Sequence, residues 1–138
     1  MNAYAVAHLR TIDFNDDIVR YLERIDDTLE PHGGRFLVHG TEPEGIEGPF
    51  EGNLVIIEVP DIHHARDWYE SPAYQEILPL RTRNSEGWAI VVQGTPPGYR
   101  ATDFLDKVLG ARRQQDARRR FRTGAVQDRT PAARAGSA

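Results

Sequence analysis

Residues 3–10 (AYAVAHLR) set Ala5, Ala7 and Leu9 on one side and Tyr4, Val6, His8 and Arg10 on the other, the period-two pattern of a strand. The period then lengthens. Ile18, Leu22, Ile25 and Leu29 recur at helical spacing and form an amphipathic stripe. Asp13 is placed to cap that helix, and Asp16 and Asp17 fall in its first turn, where the helix dipole favours acids. Pro31 and the Gly33-Gly34 pair end it, and a short strand over 35–40 follows. A loop rich in glycine and proline leads to NLVIIEV (53–59), a strongly β-prone run. Asp61 caps a second helix, which breaks at Ser71-Pro72 and restarts there, since proline suits a first helical turn. Residues 84–87 turn into a fourth strand, Trp88 to Gln93.

The order βαββαβ predicts an α+β fold: a ferredoxin-like antiparallel sheet of strand order 4-1-3-2, with two helices on one face. Strand parity divides the residues into two faces. Ala5, Ala7, Leu9, Phe36, Val38, Val55, Ile57, Val59, Trp88, Ile90 and Val92 make a wholly apolar set, expected beneath the helices. The alternate set, which includes Tyr4, Val6, His8, Arg35, Leu37, His39, Leu54, Ile56, Glu58, Ala89 and Val91, is mixed. Left open, that face would expose more apolar surface than a monomer tolerates. A homodimer is therefore expected, with a second copy enclosing the polar groups in a lumen.

Composition narrows the chemistry. The 138 residues divide into an expected domain over 1–97, a helical extension over 98–122 and a disordered tail over 123–138. Thr102 is placed to cap the extension, whose Phe104, Leu105, Val108 and Leu109 form a narrow stripe. The absence of cysteine excludes thiolate zinc sites, cysteine nucleophiles and disulfide stapling. The N-terminal stretch lacks a signal-peptide pattern, and no apolar run approaches the roughly 20 residues of a membrane span, so a cytoplasmic protein is expected. Residues 1–110 carry 9 basic and 19 acidic groups, while 111–138 carry 8 and 2. The acidic body argues against nucleic-acid binding across its surface. Only the basic stretch 111–138 is a candidate for it, against the alternative of a solvated helix balancing the body. Gly33-Gly34 precedes a strand instead of opening a helix, which argues against a phosphate-cradling loop, and no cofactor is expected.

GGRFLVHG (33–40), the IEG of 46–48, the IIEV of 56–59 and WYESPAYQEI running on to Arg81 (68–81) carry a resemblance over residues 3–95. They resemble the domain of unknown function 1330 family, of the dimeric α+β barrel superfamily. The resemblance implies the ferredoxin-like fold and the dimer. It implies no known reaction, since superfamily relatives range over cofactor-free monooxygenases, haem-degrading enzymes and small isomerases or decarboxylases. One position departs. Where members commonly show arginine-glycine-glycine, this chain has His39-Gly40-Thr41, a titratable imidazole in place of a permanent cation.

Candidate chemistry gathers on the mixed face. His8, Glu58 and His39 lie there on strands 1, 3 and 2, and at matched heights they form a His-Glu-His row for acid-base work. The alternative is a polar set satisfied at the dimer seam. Glu47, in a glycine-flanked loop, is either a catalytic carboxylate or an acceptor for its own turn. Tyr4, Arg35, Tyr69, Tyr74 and Arg81 are substrate-binding candidates. Tyr69 and Tyr74 either rim a pocket or pack helices, and Arg81 either anchors a substrate carboxylate or, the favoured reading, pairs with Glu47 or Glu76. No metal site is expected, because no carboxylate-rich shell supports the row. Two functions follow. One is a cofactor-independent enzyme acting on a small organic metabolite by acid-base or oxygen chemistry. The other is a non-catalytic dimeric binding or interaction module. A lumen of roughly 300 Å³ or more separates them.

Overall fold

The N-terminal alternation becomes β1 (Ala3–Ile12), followed by α1 (Asp16–Leu29), a 3-10 turn (Glu30–His32) and β2 (Arg35–Val38). After the loop come β3 (Asn53–Val59), α2 (Ile62–Glu70), α3 (Pro72–Thr82), β4 (Ser85–Gln93) and α4 (Ala101–Arg129). The computed structural model describes the chain through Arg129, with side-chain surroundings through Arg122. Met1–Pro97 and Gly98–Ala138 are separate units. The sheet order is β2-β3-β1-β4 with antiparallel neighbours throughout, which is the expected ferredoxin-like order read from its other edge.

Local chemistry explains the element ends. Asn15, not Asp13, caps α1: its side-chain oxygen accepts from the Asp17 and Ile18 amides at 3.0 and 3.2 Å. β1 runs on to Ile12, so the helix starts later, and the Asp13 amide instead donates to the Asn84 carbonyl at 2.7 Å. Gly33 and Gly34 are needed on different grounds. Gly33 holds the left-handed conformation (φ 68°) that ends the 3-10 turn, while a Cβ on Gly34 would meet Leu29 Cδ2 at 2.8 Å. Asp61 caps α2 by accepting from the His64 amide at 2.9 Å. Ser71 serves both neighbouring helices: its hydroxyl donates to the Trp68 carbonyl at 2.7 Å and accepts from the Tyr74 amide at 3.3 Å.

Residues directly opposite one another share a face. Ala5 lies between Ile57 and Val91, and Ala7 between Val55 and Ala89, so these residues lie beneath the helices. Phe36, opposite Ile57, joins them. Two parity expectations fail. Trp88, Ile90 and Val92 lie opposite His8, Val6 and Tyr4 on the second face, which reverses the assignment for β4. Both parities of this edge strand are apolar, so hydrophobicity alone could not choose between them. In β2 the register shifts between Phe36 and Val38, placing Val38 opposite Ile56 on the second face and turning His39 toward the helix side. His39 rests on Phe36, with ring centroids 4.7 Å apart.

The α1 stripe is also revised. Ile18, Tyr21, Ile25, Thr28 and Leu29 are buried, whereas Leu22 is 36% exposed. Thr28 accepts from Trp68 Nε1 at 3.0 Å and donates to the Ile25 carbonyl at 2.7 Å, joining α1 to α2 through a satisfied buried hydroxyl.

In the second unit, α4 begins at Ala101, so Thr102 lies inside the helix, and the Asp103 carboxylate accepts from the Arg100 amide at 3.1 Å. Phe104, Leu105, Val108 and Leu109 are exposed. The helix runs past residue 122 to Arg129, and residues 130–138 of the expected disordered tail lie outside the described residues. Among the described residues, no helix is long and apolar enough to cross a membrane.

Candidate functional site

The sheet presents Ala5, Ala7 and Ala89 beneath the helices, side chains too short to fill the layer. α1 packs mainly against α3, and α2 takes most of the contact with the sheet. The result is a cavity of about 690 Å³ between α1, the α2–α3 junction and the sheet. It lies on the opposite side of the sheet from the expected lumen.

Ile18 and Ile25 wall it from α1, Val55 and Ile57 from β3, and Trp68 from α2. Against this apolar lining stand six polar-tipped side chains: Tyr21, His39, Asn53, Tyr69, Tyr74 and Arg81. The hydroxyls of Tyr21 and Tyr74 lie 2.7 Å apart, both rings buried. Tyr74 also stacks on Trp68 at 4.2 Å and on Tyr69 at 5.5 Å, so its ring is held from three sides. Arg81 lies one turn beyond the buried Ile77 on the inner side of α3, and its guanidinium sits 5.8 Å from the centre of the Tyr21 ring.

The electrostatics follow from this packing. Burial drives the Tyr21 phenol far above its ordinary range; the neighbouring Tyr74 adds to the effect and Arg81 offsets it only in part. Burial works against the charge on Arg81, but Tyr74 and Tyr21 outweigh it and hold the guanidinium protonated above its usual range.

Four of the sequence candidates therefore meet: His39, Tyr69, Tyr74 and Arg81 all line the cavity. Tyr21, absent from the sequence candidates, completes the group. Its signal was the series Ile18, Tyr21, Ile25, Thr28, an equally regular helical stripe that counts the amphipathic side chains as apolar. The favoured ion pair of Arg81 is overturned. Glu76 faces outward and pairs with Arg24 at 3.4 Å, Glu47 is exposed in the loop, and among the described residues no carboxylate pairs with Arg81.

The remaining candidates lie elsewhere, and the His-Glu-His row does not form. Glu58 stands between Tyr4 on β1 and Arg35 on β2, and Arg35 Nη2 meets its carboxylate at 2.9 Å. His8 is four residues further along β1, about 13 Å away at strand rise. Its Nε2 donates to the Glu51 carbonyl at 2.7 Å, and its ring packs on Phe50 at 4.8 Å and Trp88 at 5.6 Å. His39 is on the other face altogether. Among the described residues, no cluster of three or more His, Asp or Glu side chains is placed to hold a metal ion.

Residues 2–95 match the family model described as Domain of unknown function (DUF1330). Among solved structures, the methylated RPA0582 protein is similar at a TM-score of 0.55 and 18% identity, covering 71% of this chain and 84% of that one. The RPA0582 protein of unknown function from Rhodopseudomonas palustris gives 0.54 and 16%, covering 70% and 84%. A dimeric ferredoxin-like protein of unknown function from Jannaschia sp. CCS1 gives 0.49 and 14%, covering 70% and 100%. The likeness to the first two shows the fold. A comparison with curated proteins finds no match.

Proposed function

We propose, for a chain that belongs to the Domain of unknown function (DUF1330) family, a small-molecule site in the cavity between α1 and the sheet, in a protein that pairs through the sheet's second face. The observation that carries the reading is the cavity itself. At about 690 Å³ it exceeds the roughly 300 Å³ that a small ligand needs, and it sets a few convergent polar groups in apolar walls. Pairing is supported by the second face. Trp88, Ile90 and Val92 are about half exposed there, beside Val6, Leu54 and Ile56, and no element of residues 1–97 covers them.

Cofactor-independent acid-base chemistry on a small organic metabolite is the catalysis these groups favour. Arg81 and a tyrosine hydroxyl stabilise negative charge developing on oxygen, and the His39 imidazole at the cavity exchanges protons. A non-catalytic binding module is the second reading. The dispersal of His8, Glu58 and His39 favours it, because the groups expected to cooperate do not meet.

The test uses an uncharged apolar dye, Nile red, with the wild-type chain and with Ala7→Phe, which fills the cavity floor. Wild type should enhance the emission and Ala7→Phe should lose most of the gain. Equal enhancement by a folded Ala7→Phe, or none by wild type, contradicts the site.

A further inference from the structure

Strong hydrogen-bond donors gather at one end of the cavity. Between Tyr21 and Tyr74 one hydroxyl proton serves the 2.7 Å bond, which leaves the second O–H to donate elsewhere. Beside them Arg81 brings five N–H donors and a full positive charge, and among the described residues no carboxylate answers it. The Tyr21 and Tyr74 hydroxyls beside it are neutral, so they support the guanidinium without balancing its charge, and an anion would do both. We infer that the cavity takes a compact monocarboxylate, its oxygens received by Arg81 and the Tyr21–Tyr74 hydroxyl pair. The inference rests on the site proposed above and names the ligand class for it.

The walls set the rest of the ligand. Trp68, Tyr69 and Tyr74 form an aromatic cluster of mutually tilted rings, with the Trp68 and Tyr69 centroids 4.2 and 5.5 Å from Tyr74, and an apolar ligand body suits this wall. Arg81 is the one permanently charged side chain among the described lining residues, so a second carboxylate would enter without a permanent counter-charge. One acid group on a compact apolar body is therefore the match.

The experiment compares 2-naphthoate with 2-naphthamide, a neutral molecule of the same shape, by calorimetric titration of the full chain. Naphthoate should bind about tenfold more tightly or better, the scale of a hydrogen bond to a charged group. Arg81→Met should bring naphthoate down to the level of the amide, and Arg81→Lys should restore part of the difference. Tyr21→Phe, which keeps the ring and the cavity shape, should weaken naphthoate severalfold and leave the amide unchanged. This second variant decides the matter if Arg81→Met fails to fold. Equal binding of the two molecules by wild type overturns the monocarboxylate and leaves the site standing. Binding of neither overturns both.

Discussion

The hydroxyls of Tyr21 and Tyr74 meet at 2.7 Å, fastening α1 to α3 across 53 residues of chain. The contact is buried among largely apolar side chains, with Arg81 beside it. Tyr74→Phe should therefore cost about 1–3 kcal/mol in urea unfolding, the penalty for stranding a buried hydroxyl. The double variant with Tyr21→Phe should cost less than the sum of the two singles, because the second change strands nothing further.

The same burial fixes a pH dependence. The phenol of Tyr21 is raised by burial first and by Tyr74 second, so the folded chain favours its neutral form. A raised group contributes stability that is complete below its unfolded value, near pH 10, and is lost as the pH climbs from there toward the folded value. Unfolding monitored from pH 8 to 12 should show stability falling above about pH 10, and Tyr21→Phe should lose less across that interval. Absorbance at 295 nm should show one late-ionising tyrosine whose titration coincides with unfolding.

His8 and Glu58 should not affect ligand binding. They lie on the face away from the cavity, tied to the Glu51 carbonyl and to Arg35. Glu58→Gln should change stability by no more than about 1 kcal/mol, since Arg35 is largely exposed and the amide oxygen still accepts from it in place of the half-buried carboxylate. Neither Glu58→Gln nor His8→Ala should alter naphthoate affinity more than twofold by titration.

The βαββαβ element order was enough for the sheet order, and local chemistry for the helix break at Ser71-Pro72 and the Asp61 cap. Periodicity failed where a choice needed tertiary information. An edge strand apolar on both parities gave no basis for placing Trp88 and Ile90, and one shifted pair in β2 carried His39 across the sheet. The site was half legible. Tyr69, Tyr74 and Arg81 were visible as aromatic and basic positions along one helical side, but their convergence with Tyr21 depends on how α1 packs on α3. The space they enclose comes from small residues, Ala5, Ala7 and Ala89, which read in the sequence as ordinary strand alternation.

Pairing through the second face predicts a mass of twice 15.6 kDa by light scattering at micromolar concentration. Val92→Glu places a charge opposite Tyr4 on that face and should shift the protein to 15.6 kDa without unfolding it. A monomeric wild type would remove the interface from the proposal.

The most direct measurement of where the ligand sits is isoleucine-methyl NMR of the full chain during titration with 2-naphthoate. Ile18, Ile25 and Ile57 line the cavity, whereas Ile56, next in sequence to Ile57, points to the second face opposite Val6. Saturable shifts at Ile18, Ile25 and Ile57, with Ile56 unmoved, are the expected result. Shifts centred on Ile56 with the cavity methyls silent, or no shift at any of the four, would contradict the assignment of the cavity as the functional site.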